Sequence, residues 1–83
     1  MKTRRALKIR GERWTIIYGR PPVNKCSAYC DYDKRTIWIR KGEDIIACII
    51  HEVLHACFHD LSEDAVIEAE EALVKALELV PSL

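Results

Sequence analysis

Eighty-three residues, 13 of them basic and 13 acidic, leave room for one domain over residues 1–83 with a modest core. An apolar fraction of 49% beside a charged fraction of 31% excludes a disordered chain. The longest apolar run, Ile45–Ile50, is far too short to span a bilayer, which excludes a membrane protein of the helical kind. The zero net charge hides a polarity along the chain. Residues 1–20 hold Lys2, Arg4, Arg5, Lys8, Arg10, Arg13 and Arg20 against Glu12 alone. Residues 60–83 hold seven acids against Lys75 alone.

Residues 1–6 read as a flexible basic arm, and such an arm can touch nucleic acid. Leu7–Ile9 can begin a short strand. Glu12–Tyr18, rich in aromatic and β-branched residues, has the composition of a strand. The Gly19-Arg20-Pro21-Pro22 stretch ends it, because paired prolines cannot continue a ladder. Cys26–Asp31 reads as a second strand, Asp31–Lys34 as a polar turn, and Arg35–Arg40 as the clearest strand, with Ile37 and Ile39 on one face. Residues 26–40 then form a hairpin. Lys41-Gly42 interrupts, and Glu43 and Asp44 suit a helix N-terminus. A first helix, apolar almost all round and so expected to be buried, runs to about His59. Asp60–Ser62 turns the chain. Ser62 is a good N-cap for a second helix over about Glu63–Leu79, whose apolar stripe is Val66, Ala69, Leu73, Ala76, Leu77 and Val80. The predicted fold class is α+β: a small antiparallel sheet of about three strands followed by two helices.

Cys26, Cys30, Cys48 and Cys57 are the four cysteines. The basic N-terminus is not followed by the apolar core of a signal peptide. Reduced thiols and a cytoplasmic location are therefore expected. Cys48 and Cys57 fall in the first helix, where a free thiol acts as a small apolar residue. Cys26 and Cys30 are read as strand packing residues.

The chemistry lies in His51-Glu52-Val53-Leu54-His55, an H-E-x-x-H match. Residues four apart on a helix lie about 6 Å apart along the axis and share a face, so His51 and His55 can reach one metal ion. Glu52 falls beside them, placed to work on a water held by the ion. Two imidazoles and a carboxylate on an apolar helix carry a desolvation cost that a metal offsets. Catalytic zinc takes three protein ligands and an open position. Glu63 and Glu70 both fall near the apolar stripe of the second helix and both qualify as the third ligand. Glu63, directly after the turn, is preferred. His59 sits too far along the helix axis to join both histidines and is read as a neighbour of the site. Glu68, Glu71 and Glu78 point outward.

A hairpin, a short loop, an H-E-x-x-H helix and a second helix with a carboxylate, in this order, resemble the minimal zincin metallopeptidases. Similar are the small gluzincin-like proteins of phages and mobile elements, and the ImmA/IrrE-type and SprT-type peptidase domains. The resemblance covers roughly residues 26–80 and rests on His51, Glu52 and His55. Asp60-Leu61-Ser62-Glu63 resembles the turn that follows the motif in the small phage versions and favours Glu63 as ligand. The chain has no Gly-x-x-His of metzincin type and no insert between the motif and Glu63.

The resemblance implies a zinc metallopeptidase with one Zn2+ per chain, acting on a peptide or protein substrate. Its location would be the cytoplasm, or the host cytoplasm if phage-encoded. Zinc would acidify its water and polarise the scissile carbonyl, and Glu52 would take the water's proton as general base. Tyr18, Tyr29, Tyr32 and His59 are candidates for donating to the oxyanion. The alternative is a small non-catalytic zinc-containing protein that binds a host protein or nucleic acid. A fourth protein ligand would mark it.

Overall fold

The computed structural model describes residues 3–22, 28–40 and 44–81. The fold is α+β, with elements β1 (Thr3–Ile9), β2 (Glu12–Tyr18), β3 (Ala28–Asp31), β4 (Thr36–Ile39), α1 (Ile45–Cys57) and α2 (Glu63–Glu78). Cys26, Ser27 and the Lys41–Glu43 break lie outside the described residues.

The sheet has four strands rather than about three, and the basic stretch expected to be an arm is a strand from Thr3 onward. β1 and β2 are joined through Arg10 (φ 51°) and Gly11 (φ 82°). Both residues of this two-residue turn are left-handed, as a type I′ hairpin demands. Glycine accepts that conformation at no steric cost, whereas Arg10 does not. Arg10 also donates from Nη1 to the Cys57 carbonyl at 3.0 Å, fastening the turn to the end of α1.

The strand order is β1-β2-β4-β3, so the sheet is mixed rather than antiparallel. β2 and β4 pair in parallel, with Ile16 beside Ile37 and Ile17 beside Trp38. The chain leaving β2 passes one strand position before β3 begins. The β3–β4 hairpin then returns β4 into the gap, running the same way as β2. Amides at both ends seal the parallel pair: Thr15 N–H donates to the Arg35 carbonyl at 3.0 Å and Gly19 N–H to the Ile39 carbonyl at 2.8 Å. The hairpin turn is held by the Asp31 carboxylate, which accepts from the Lys34 amide at 3.1 Å.

One face of the sheet is covered by α1. Ile9, Trp14, Ile16, Ile37, Ile39 and Ala56 form the buried cluster, with Leu7, Cys30, Cys48, Ile49 and Val53 packed against it. α1 starts at Asp44, whose carboxylate accepts from the Ala47 amide at 3.3 Å, and ends at Cys57, two residues before His59. The Ser62 hydroxyl caps α2 by accepting from the Ala65 amide at 3.1 Å. α2 packs chiefly on α1 rather than on the sheet, with Val66 fully buried between the helices.

Two expectations about burial are corrected. α1 is not buried all round, since Ile45 and Ile46 are exposed. The stripe of α2 is covered only in its first half. Val66 and Ala69 are shielded, but Leu73, Ala76, Leu77 and Val80 are exposed, Leu77 by 53%. With α1 as the main support of α2, no further layer exists among the described residues to cover that stripe. The stability then rests on the sheet–α1 interface. Ile37→Ala, at a fully buried position, is expected to cost about 2–5 kcal/mol, read from the shift in urea midpoint.

Candidate metal centre

α1 presents His51 and His55 one turn apart on the side facing α2. Their Nε2 atoms are 3.2 Å apart and the rings meet edge-on, centroids 4.9 Å apart. The five-residue link after α1, residues 58–62, brings the start of α2 back over this pair. Glu63 Oε1 lies 2.6 Å from His51 Nε2 and 3.5 Å from His55 Nε2. One donor atom from each of His51, His55 and Glu63 falls within 4.8 Å of the others.

Glu70, two turns further along α2, also reaches the site, but from behind. Its Oε1 is 2.8 Å from His51 Nδ1. The two carboxylates therefore address different nitrogens of one imidazole and do not compete. Glu70 is the more enclosed, its side chain 24% exposed against 60% for Glu63. A carboxylate on the outer nitrogen of a ligating histidine fixes its tautomer and orientation.

That geometry tests whether a cation fits. When His51 Nδ1–H donates to Glu70, a neutral ring leaves a bare lone pair on Nε2. That lone pair faces a carboxylate oxygen at 2.6 Å and a second imidazole nitrogen at 3.2 Å. Electron pairs at such distances repel unless a cation, a proton or a metal ion, lies among them. Two imidazoles and one carboxylate are a donor set suited to Zn2+.

Glu52 is not among the converging atoms. It is only 9% exposed, near enough to His51, His55, Glu63 and Glu70 to feel their charges and to act in turn on Cys30 of β3. Burial pushes its carboxyl above the usual range; His51 and His55 pull it down, and Glu63 and Glu70 push it up. A buried carboxyl coupled to both histidines is a group whose proton affinity responds to charge at the pair.

Tyr32 extends from the β3–β4 turn to this neighbourhood. Its hydroxyl donates to the His55 carbonyl at 3.3 Å. Burial raises its pKa, and Cys30, Glu52 and Glu63 add to the rise. Its ring stacks at a tilt on His59, centroids 4.4 Å apart, and stands edge-on to Trp14 at 6.4 Å. His59 is exposed and outside α1, as its place in the sequence suggests, and its contact is with Tyr32 rather than with the histidine pair. Tyr29 lies on the opposite face of the sheet, while Tyr18 packs against the core cluster. A cleft of about 530 Å³ opens beside the end of α1, floored by Ile9, Trp14 and Ala56 and rimmed by Arg10, His59 and Asp60. His51, His55 and Glu63 do not line it.

Cys30, Cys48 and Cys57 are not joined in disulfides, and Cys26 lies outside the described residues. Burial, aided by Glu52 and Asp31, pushes the Cys30 thiol up to about 12 from 9.0. The folded state thus keeps a proton that the unfolded chain releases above pH 9. Stability should fall as pH rises from about 9 towards 12. Cys30→Ala should flatten that fall, read from denaturation midpoints across the range.

Comparison of the chain with protein-family models, curated proteins and solved structures gave no match in any of the three. No helix among the described residues is long and apolar enough to cross a membrane.

Proposed function

We propose that the protein is a zinc-dependent metallopeptidase of the H-E-x-x-H type, with His51, His55 and Glu63 as ligands and Glu52 as general base. The observation that carries this reading is the convergence of two Nε2 atoms and one carboxylate oxygen beside a buried glutamate. His59, which would close the site as a fourth ligand, is turned to Tyr32. Three protein donors rather than four favour catalysis over a purely structural ion.

A bound Zn2+ would supply Lewis-acid polarisation of a scissile carbonyl and acidify the attacking water. The chain's own residues do the rest. Glu52 takes the water's proton and returns it to the leaving amine. Burial raises its proton affinity from the ordinary carboxyl range, the direction that suits a base near neutral pH. Glu70 holds the His51 ring through Nδ1. Tyr32, with a hydroxyl proton beside the His55 turn of α1, is the candidate of the four best placed to donate to a developing oxyanion.

The test is cleavage of an unfolded protein by the purified chain. Cleavage should stop on adding a chelator and return with zinc. A metal-loaded protein that cleaves nothing would move the reading to the zinc-containing binding protein.

The ligand assignment has its own test. Glu63→Gln should weaken zinc binding more than Glu70→Gln, and Glu70→Gln more than Glu68→Gln. Loss of an outer-nitrogen partner costs about 10- to 100-fold in metal affinity. Competition with a chromogenic chelator measures all three; greater loss in Glu70→Gln would reverse the ligand roles.

A further inference from the structure

The two helices leave an apolar surface uncovered on the flank opposite the metal centre. At about 100° per residue, Glu63 and Glu70 lie about 40–60° to one side of the buried Val66 around α2, and Leu73, Ala69 and Ala76 about 20–80° to the other. Around α1, Leu54 and Ile50 fall about 60° and 100° to the side of His51 away from His55. Glu63 and Glu70 meet His51. The metal centre therefore takes one flank of the seam between the helices, and the two apolar rows share the other. Ile46, Ile50 and Leu54, four apart, make the row on α1, and none of them belongs to the core cluster or packs against it. Ala69, Leu73 and Ala76 make the row on α2. Asp44 and Ala47 share a groove with Val74 and Glu78, so the helices run antiparallel and Leu73 and Leu77 stand near the start of α1. Ile46, Leu73 and Leu77 are 44–54% exposed, and Ile50 and Leu54 are partly so.

This flank carries no charge. From Ala72 round to Leu77 on the helical wheel, an arc of about 140°, every residue of α2 is alanine, valine or leucine, whereas Glu68, Glu71, Lys75 and Glu78 lie on the rest of the circle. Such a face sets no like charges together when it meets itself, and a chain of zero net charge approaches its copy without long-range repulsion. Leu73 stands between Ala69 and Ala76, one large side chain between two low positions, a relief that a copy turned through a two-fold axis can fill. An anionic membrane is the poorer fit, because a membrane-bound helix needs Lys and Arg beside its apolar face, and α2 has acids there. The exposed area points the same way. The chain leaves 6106 Å² of surface, about 1,000 Å² above the roughly 5,100 Å² expected of a compact monomer of 9.6 kDa. A standard interface takes about 800 Å² from each partner.

We propose that this face holds a second copy of the chain, the helix pairs of two protomers packing back to back about a two-fold axis as a four-helix layer between their sheets. The rows on α1 and α2 of one protomer cover those of the other. The metal centres lie on the far flank of each seam, and the pairing does not cover them.

The experiment is sedimentation equilibrium of the full chain over a wide range of concentration. A limiting mass of twice 9.6 kDa is expected. Leu73→Glu and Ile46→Glu should each raise the dissociation constant at least about a hundredfold, because each dimer buries the new carboxylate twice. Both positions are exposed in the protomer, so circular dichroism should not change. Ile67→Glu puts the same charge at an exposed position among the acids of α2 and should leave the dimer intact. Melting gives a second measurement: the wild-type Tm should rise with protein concentration, and that of Leu73→Glu should not. Leu73→Ala, expected to weaken the pair roughly tenfold, is the milder variant should the glutamates unfold the chain. The proposal is overturned if wild type stays a monomer at every concentration, if its mass grows beyond two copies, if folded Leu73→Glu and Ile46→Glu pair as tightly as wild type, or if Ile67→Glu breaks the dimer as they do.

Discussion

His51→Ala and His55→Ala are each expected to abolish stoichiometric zinc binding, and with it the part of the stability that zinc supplies. An ion that binds only the folded state adds about 2.7 kcal/mol at a free concentration one hundred times its Kd. For a domain of this size that corresponds to roughly 10–20 °C in Tm. Wild type should melt higher with zinc than with a chelator; both variants should melt at one temperature in either. The metal-free proteins should differ from each other. His55→Ala leaves the His51–Glu70 contact at 2.8 Å in place, whereas His51→Ala strands the more enclosed carboxylate of Glu70 without a partner. His51→Ala should therefore be the less stable in chelator. Elemental analysis and melting curves together check this. A wild type that carries no metal and gains no stability from zinc would remove the metal centre.

The parts of this arrangement visible in the sequence are those set by local chemistry. The spacing of His51 and His55 on an apolar segment, Asp44 and Ser62 as caps, and the Ile37–Ile39 alternation each act within a few residues. The structure shows the corresponding helices and strand. What was hidden depended on distant partners. Leu7–Ile9 was legible as strand, but the first half of β1 was obscured because its turn, Arg10-Gly11, lacks the Asn-Gly or Asp-Gly signature of a type I′ hairpin, and because Arg4 and Arg5 look like part of a solvated arm. An edge strand accommodates such cations, and Arg4, Arg5 and Lys8 are all exposed on β1. The parallel pairing of β2 with β4 was hidden because periodicity reports which residues share a face, not which strand lies next door. The sequence does carry one clue, a link from Gly19 to β3 too long for a tight hairpin.

The choice between Glu63 and Glu70 shows the same division. A helical wheel puts both on the inward side of α2, and with one metal in mind they seem to be rivals. In three dimensions α2 crosses the histidine pair so that Glu63 faces Nε2 and Glu70 faces Nδ1 of the same ring. Sequence spacing ranks distances along one helix, but it does not say from which side a second helix approaches an imidazole. The exposed half of α2 has a related origin. Leu73, Leu77 and Val80 have the spacing of a buried stripe, yet a 16-residue α2 against a 13-residue α1 leaves the end of that stripe without cover.

Glu52→Gln is expected to separate catalysis from structure. The substitution keeps shape and hydrogen-bonding capacity and removes the base. It also removes a carboxyl whose ionised form is penalised by burial, so the fold should be no less stable, and zinc should stay, because Glu52 is not among the converging ligand atoms. Cleavage should fall by about 10²–10⁴, equivalent to about 2.7–5.5 kcal/mol in activation free energy. The pH profile of the wild type carries the same information. Activity that needs the ionised carboxylate should drop on the acid side, at a pH above the ordinary carboxyl range because burial shifts Glu52 upward. The residual rate of Glu52→Gln should lose that acid limb. Zinc content, circular dichroism and cleavage of one unfolded substrate, measured on both proteins, decide the matter. Equal cleavage by wild type and Glu52→Gln would rule out Glu52 as the base. A variant that lost zinc together with activity would instead make Glu52 part of the metal's support, and the general base would have to be sought among the carboxylates of α2.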